Sequence, residues 1–253
     1  VAYLEAMSPV DCIFLDPARR NEHGGKTVAI SDCEPNVAKL EGLLLSKANR
    51  IMIKLSPMLD LSQALKELPH TQEVHIISVN NECKELLLLL GQTAPEEIPV
   101  HCVNLSTKGE QEKQLFVFTR EQEQHSECSY TDTLGNYLYE PNASLLKAGA
   151  FRSIAAAYSV KKLHPNSHLY TSETQIEGFP GRTFRIINRC SLNKKEIKEN
   201  LSDLKKANIT VRNFPATVAE LRKRIKLAEG GDTYLFASTL NDGQKILIRC
   251  GKV

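Results

Sequence analysis

One short string of the sequence places an acidic residue, a proline and two arginines directly after an apolar run. The run is Cys12-Ile13-Phe14-Leu15, followed by Asp16, Pro17, Ala18, Arg19 and Arg20. Such a run predicts a buried strand. Because ligands of open α/β sheets bind at the carboxyl ends of the strands, Asp16 lies where a reacting group is expected. A simple turn or a helix cap would use the same residue type.

The elements that would position this carboxylate alternate between strands and helices. Apolar residues at helical spacing predict a helix from Asn36 to Ser46. Asp60 to Gln63 forms a capping box that opens a second helix, to about residue 68. Strands are predicted at 50–55 and 74–79. This order predicts a parallel sheet with right-handed crossovers.

The segment that follows is compatible with two structures. Asn80-Asn81 favours a two-residue hairpin into a strand over 83–90, whereas the Leu and Glu residues of 82–90 would also suit a helix. We favour the hairpin. Strands over 100–105 and 114–118 then complete an α/β fold whose edge is reversed.

A second α/β unit is predicted towards the end of the chain. Polar residues over 121–136 indicate a linker, and a helix starts at Asn142 or Ser144 and continues to about residue 163. Strands and helices then follow in the order βαβαββ, with helices over 193–207 and 217–228 that Asn193 and Thr217 cap. We therefore expect domains at 1–126, 127–180 (linker and helical segment) and 181–253.

Positive charge is concentrated in this last part. Residues 182–226 contain 13 Lys and Arg against four Asp and Glu, while the rest of the chain has 19 against 26. On the helix after Asn193, a lysine flank faces away from the apolar side, and the next helix carries a second basic cluster. The candidate phosphate contacts are Lys194, Lys195, Lys198, Arg222 and Lys223. This asymmetry predicts a surface for a polyanion, although a solvated lysine-rich face has the same composition.

Composition excludes several other classes of function. The seven cysteines form no C-x-x-C pair and the seven histidines show no ligand spacing, so we expect no metal site. The longest apolar run, residues 86–90, is too short for a membrane helix, and no signal peptide is visible. These features predict a cytoplasmic globular protein with reduced thiols.

The string from Asp16 to Arg19 resembles the fourth motif of class I S-adenosylmethionine-dependent methyltransferases, D-P-P-R or [DN]-P-P-[YFW]. Ala18 lies where the motif has its second proline, so the identity of the target atom is left open. Residues 50–57 resemble the next strand of that fold, with Lys54 at its active-site end. The order of Tyr139-Glu140-Pro141-Asn142, a long helix and a basic α/β unit resembles uncharacterised bacterial methyltransferases with a THUMP-like C-terminal domain.

The resemblance implies an RNA methyltransferase. By this resemblance, Asp16 and the Pro17 carbonyl would hold the target nitrogen. Arg19 or Arg20 would bind a phosphate or the acceptor nucleotide. Lys54 would contact substrate, and the basic tail would bind tRNA or rRNA.

The loop that binds the methyl donor in that family is glycine-rich. No glycine-rich loop follows a predicted strand in this sequence. We therefore expect the C-terminal half of a Rossmann-like sheet with most of the S-adenosylmethionine site upstream of Val1, and a fragment that is inactive alone. The alternative is a non-catalytic RNA- or protein-binding module on a degenerate Rossmann-like scaffold.

Overall fold

The chain folds into two compact units in the computed structural model, which describes residues 1–19, 29–107 and 113–253. The first unit comprises Val1–His125 and Asn142–Ala150, and the second comprises Ser126–Pro141 and Phe151–Val253. Within the described ranges, every helix is too short or too polar to cross a membrane.

The elements of the first unit are α1 (Ala2–Ala6), β1 (Val10–Leu15), β2 (Ala18–Arg19), a 3-10 turn (Ile30–Asp32), β3 (Cys33–Glu34), α2 (Val37–Lys47), β4 (Ala48–Leu55), α3 (Leu61–Glu67), β5 (Thr71–Val79), β6 (Glu82–Leu90), β7 (Pro99–Leu105), β8 (Lys113–Thr119), α4 (Arg120–His125) and α5 (Ala143–Ala148). Six of these strands form one sheet, in the order β1-β4-β6-β5-β7-β8. The predicted α/β class is confirmed.

Strand directions follow the sequence prediction in part. β1 pairs with β4 and β5 with β7 in parallel, while β8 forms the reversed edge that was expected. β6 is also reversed, and it lies inside the sheet between β4 and β5. The hairpin at Asn80-Asn81 is confirmed, with φ of 51° and 64°, and the helical alternative for 82–90 is wrong. Asparagine tolerates this left-handed conformation better than most residues, so the pair turns the chain back at once.

The two faces of this sheet differ in burial. Helices α2 and α5 pack on one face, where Ile51, Ile53, Val74 and Leu88 are buried. On the opposite face Phe14 is 58% exposed and Val117 44% exposed. The prediction that β1 is a buried strand is therefore wrong, because β1 lies at the sheet edge and has β4 as its one neighbour in the six-stranded sheet.

The elements of the second unit are β9 (Tyr137–Pro141), α6 (Phe151–Ala157), β10 (Lys161–Lys162), β11 (Tyr170–Ser172), β12 (Gly181–Cys190), α7 (Lys194–Leu201), β13 (Asn208–Val211), α8 (Val218–Ile225), β14 (Thr233–Thr239) and β15 (Lys245–Lys252). The seven strands form one sheet, in the order β10-β11-β9-β12-β15-β14-β13. Residues 181–252 have the predicted βαβαββ order.

Each face of this sheet carries its own core. Leu235 and Ala237 of β14 pack with residues of α7 and α8, whereas Phe236 packs with Leu163 and Leu169. The alternation of side chains along β14 therefore supplies both cores.

The long helix predicted from residue 142 or 144 to 163 is wrong. Gly149 adopts φ of 76° and its N–H caps the carbonyl of Leu145, so α5 ends there. A left-handed glycine is a common helix terminator. The chain then enters α6, which belongs to the second unit.

Helix α7 also ends earlier than predicted, at Leu201 instead of residue 207. The backbone at 205–207 pairs with Ala228, with which it exchanges two N–H···O hydrogen bonds of 3.0 Å. These groups are therefore unavailable to a helix.

The predicted helix starts are confirmed. Asn36, Asp60, Asn142, Asn193 and Thr217 each accept hydrogen bonds from the first turn of their helix. The reciprocal half of the capping box forms at Thr217, where the Glu220 carboxylate accepts from the Thr217 backbone at 2.7 Å. At Asp60 the Gln63 side chain instead donates to Glu67 at 2.9 Å.

The cap at Asn142 should contribute more stability than the cap at Asn193. The Asn142 side chain is buried, accepts from Ser144 and Leu145, and donates to Gln114 at 3.0 Å. We expect Asn142→Ala to lower the free energy of unfolding of the first unit by about 2 kcal/mol, because it leaves buried N–H groups unpaired. Urea denaturation followed by circular dichroism, with hydrogen exchange of the α5 amides, measures this change.

Asn193→Ala is the matched control, since that cap is exposed. We expect about 0.5 to 1 kcal/mol there. Equal losses of stability for the two variants would contradict the role given to burial.

Candidate functional site

The register of β1 and β4 brings two of the predicted site residues together. Leu15 is opposite Ile53 in this parallel pair, so Asp16 and Lys54 follow at the carboxyl ends of neighbouring strands. Lys54 Nζ lies 2.6 Å from Asp16 Oδ2, and 3.9 Å from the carboxylate of Glu85 on β6. The side chain of Asp16 is 55% exposed, and Pro17 beside it is buried.

The hydrogen bond with Asp16 raises the pKa of Lys54 above its ordinary value, against the partial desolvation of the amine, and Glu85 adds to this effect. The ammonium therefore stays charged and fixes the carboxylate at the strand end. A carboxylate has several acceptor positions, so Asp16 can accept from Lys54 and from a substrate N–H at the same time. This arrangement suits positioning of a nitrogen nucleophile.

Of the two arginines in the string, the structure describes Arg19 through its backbone. Arg19 lies in β2, which pairs with β3 in an antiparallel ribbon. The side chain of Arg19 and the whole of Arg20 lie outside the described residues.

The predicted lysine flank is on the outer face of α7. Ile197, Leu201 and Leu204 pack in the core, as the helical periodicity predicted. Lys194, Lys195 and Lys198 are exposed. Lys205 and Lys206 are exposed too, although they lie beyond the end of the helix.

Two arginines of α8 already bind backbone carbonyls. Arg222 Nη1 donates to the carbonyls of Ala207 and Leu227, at 3.4 Å each. Arg224 Nη2 donates to Leu192 at 2.8 Å. Lys223 is exposed. The two arginines thus hold loops around α8 while Lys223 points to solvent.

A buried ion cluster in the second unit was missed by the sequence analysis. The carboxylate of Glu140 is 2% exposed and pairs with both Arg182 and Arg212. Arg182 Nε lies 2.9 Å from Glu140 Oε2, and Arg212 Nη2 lies 2.7 Å from Oε1. Both guanidinium groups remain about a third exposed (36% and 37%). The Tyr139-Glu140-Pro141-Asn142 string was the available signal, because an acidic residue in a buried strand needs a cationic partner.

A histidine near this cluster is held neutral. Burial, together with the charges of Lys162 and Arg212, lowers the pKa of His168 to about 4. Its ring stacks on Phe151, with the centroids 3.5 Å apart.

Three potential metal ligands also meet on the open face of the first sheet. Glu73 and His75 lie on β5, and His101 is the register partner of His75 on β7. Their ligand atoms all lie within 4.8 Å of one another. Sequence spacing pairs Glu73 with His75 on one face, but His101 joins them only through the long-range register of two strands.

Comparison with known proteins assigns the second part of the chain. Residues 181–252 match the THUMP domain-like family. Residues 137–180, directly before this THUMP-like domain, match a ferredoxin-like domain family. No curated protein sequence matches the chain.

One solved structure is similar over nearly the whole chain. It is a crystal structure described as that of a "putative methyltransferase from Porphyromonas gingivalis W83", with 41% sequence identity and a TM-score of 0.87. The similarity covers 96% of this chain and 60% of that one. This chain thus spans 60% of the length of that relative, which is less than two thirds.

The Asp16–Lys54 pair should control the reactivity of the Lys54 amine. Only the neutral amine, which has a free lone pair, attacks an acylating reagent, and a raised pKa keeps that form rare. We expect Asp16→Asn to accelerate labelling of Lys54 by an N-hydroxysuccinimide ester at mildly alkaline pH, with peptide mass spectrometry as the measurement. The ion pair should persist below the ordinary pKa of lysine and be lost as pH rises through the raised value.

Lys39 is an internal control, because it is exposed on α2 of the same unit. Its labelling rate should not respond to the substitution. An unchanged rate at Lys54 would show that the hydrogen bond to Asp16 does not govern this amine.

Proposed function

We propose that this chain is part of an S-adenosylmethionine-dependent methyltransferase that modifies a nitrogen of a structured RNA, such as tRNA or rRNA. The observation that carries the proposal is the position of Asp16. Its carboxylate follows β1, is held by Lys54 at 2.6 Å, and is next to a buried proline. Strand ends of this kind are where α/β folds bind their ligands.

In this proposal, Asp16 accepts a hydrogen bond from the target N–H and the Pro17 carbonyl provides a second acceptor. The target nitrogen is the nucleophile, and it needs orientation and removal of water more than it needs a strong base. Lys54 holds the carboxylate, and Arg19 or Arg20 would bind a phosphate or the acceptor nucleotide. The similarity to a protein described as a methyltransferase supports this assignment.

S-adenosylmethionine would supply the electrophilic methyl group. The described residues around Asp16 provide hydrogen-bond acceptors for a substrate nitrogen, but the sequence lacks a glycine-rich donor loop after a strand. We therefore propose that most of the donor site is formed by sequence outside these 253 residues. The similar crystal structure is longer than this chain, which is compatible with that view.

RNA is proposed as the substrate because the THUMP-like domain carries an excess of exposed lysines. Lys194, Lys195 and Lys198 follow one another on the outer face of α7, and Lys223 is exposed on α8. The apolar sides of both helices pack in the same core. Phosphate groups of an RNA backbone are a polyanion that such a surface fits.

Methyl transfer should depend on Asp16 more than RNA binding does. We expect Asp16→Asn in the full-length protein to reduce kcat/KM by about 100-fold or more, because the amide is a weaker acceptor for the target N–H. RNA affinity should stay within about twofold, since the carboxylate makes no phosphate contact. Transfer of a radiolabelled methyl group and filter binding measure the two quantities.

Asp11→Asn is the matched control, since Asp11 is an exposed aspartate at the other end of β1. It should leave both quantities unchanged. Equal losses of transfer and binding in Asp16→Asn would contradict the positioning role. Absence of S-adenosylmethionine binding to the full-length protein, measured by calorimetry, would favour the non-catalytic binding module.

The lysines of α7 should determine the salt dependence of RNA binding. We expect the triple variant Lys194→Gln, Lys195→Gln, Lys198→Gln to reduce the slope of log Kd against log salt by roughly 0.7 to 0.9 for each phosphate that these lysines neutralise. Titrations of labelled RNA at several salt concentrations give this slope.

A control variant with the same change of charge is Lys161→Gln, Lys245→Gln, Lys252→Gln, which alters exposed lysines of the same unit. We expect a clearly smaller change in its slope. Identical slopes for the two triple variants would show that net charge, not the α7 surface, determines binding.

A further inference from the structure

A second polar cluster, separate from Asp16 and Lys54, lies on the open face of the first sheet. Glu73 and His75 are two residues apart on β5, so both side chains project from this face. His101 is opposite His75 in the parallel β5–β7 pair. The three side chains come from adjacent strands and share one side of the sheet.

The distances within this cluster are close to those of a metal centre. His75 Nε2 lies 3.1 Å from Glu73 Oε2, and His101 Nε2 lies 3.9 Å from the same oxygen. Ligands at the ~2.0 to 2.1 Å bonds of a tetrahedral zinc ion are about 3.3 Å apart. Because the two imidazoles are stacked at an angle of 7°, their lone pairs lie in nearly parallel planes, and the rings must turn out of the stack for both to bind one ion.

The two imidazole rings are held together by the strand register. They are stacked with centroids 4.4 Å apart and an angle of 7° between the planes.

Space for further ligands is present next to the cluster. An open cavity of about 340 Å³ is lined by Glu73 and His75 together with Arg50, Met52 and Leu87. A site with three protein ligands and an accessible fourth position is typical of zinc that binds water or a small ligand.

We propose that Glu73, His75 and His101 bind one zinc ion, with the fourth position open to the neighbouring cavity. Two imidazoles and one carboxylate are ligands that Zn²⁺ accepts readily. The site is independent of the proposed methyl transfer. His75 is separated from Lys54 by one strand, β6, because Leu87 is the register partner of both. Two strand spacings correspond to about 10 Å.

Zinc binding to the purified chain, stripped with a chelator, tests this site. Isothermal titration with Zn²⁺ alone should show one equivalent for the wild type. His75→Gln and His101→Gln should weaken binding by at least the roughly 10- to 100-fold that loss of a supporting residue produces. Glu73→Gln should weaken it as well.

His70→Gln is the matched control. His70 is another histidine beside a carboxylate in the same unit, with Nδ1 3.4 Å from Glu41 Oε1. Its substitution should leave zinc affinity unchanged. The proposal would be overturned if the wild type bound no Zn²⁺, or if the His75→Gln and His101→Gln variants bound it with the affinity of the wild type.

Two further measurements use the wild-type chain and need no variant. Zn²⁺ should protect His75 and His101, but not His70, from diethylpyrocarbonate, as read by peptide mass spectrometry. With Co²⁺ in place of zinc, the near-ultraviolet spectrum should lack the intense charge-transfer bands of thiolate ligation. Such bands would assign the ion to cysteines such as exposed Cys12 and overturn the site. Absent protection of His75 and His101 would overturn it as well.

Discussion

Strand register in the six-stranded sheet decides which polar side chains of the first unit meet. The parallel pairing of β1 with β4 places Asp16 beside Lys54, and the pairing of β5 with β7 places His75 against His101. A shift by one residue would send each of these side chains to the opposite face. The buried alternation of Ile51, Ile53 and Leu55 opposes such a shift, because it would expose three core residues. The hydrophobic core thus fixes the geometry of the candidate sites.

Local signals in the sequence predicted most elements but not their arrangement. Caps such as Asn36 and Thr217, and the Asn80-Asn81 turn, act over a few residues and were predicted correctly. Insertion of β6 between β4 and β5 depends on contacts distant in sequence, and so does the meeting of His101 with His75. Asp16 and Lys54 were each predicted at a strand end, whereas their ion pair required the register. The helix break at Gly149 had a local signal, since glycine commonly ends a helix.

Charge counts along the sequence overstate the positive surface of the second unit. Arg182 and Arg212 are bound to the buried carboxylate of Glu140, and Arg249 is bound to Asp203 at 2.6 Å. Arg222 and Arg224 donate hydrogen bonds to backbone carbonyls. The lysines of α7 are less engaged in contacts within the protein than these arginines. The proposal that RNA is the substrate therefore rests on these lysines. Lysine has a flexible stem and a compact charge, and both properties suit contacts with an irregular phosphate backbone.

The path of the chain between the two units limits how the protein can be divided. Residues 142–150 belong to the first unit although β9, just before them, belongs to the second. Helix α5 packs on β5, β6 and β7, and Leu145 is 1% exposed. An expression fragment that stops at the end of α4 would therefore uncover part of the first core, and it should aggregate. A soluble version of the first unit needs residues 142–150 joined to residue 125 through a designed loop that replaces residues 126–141.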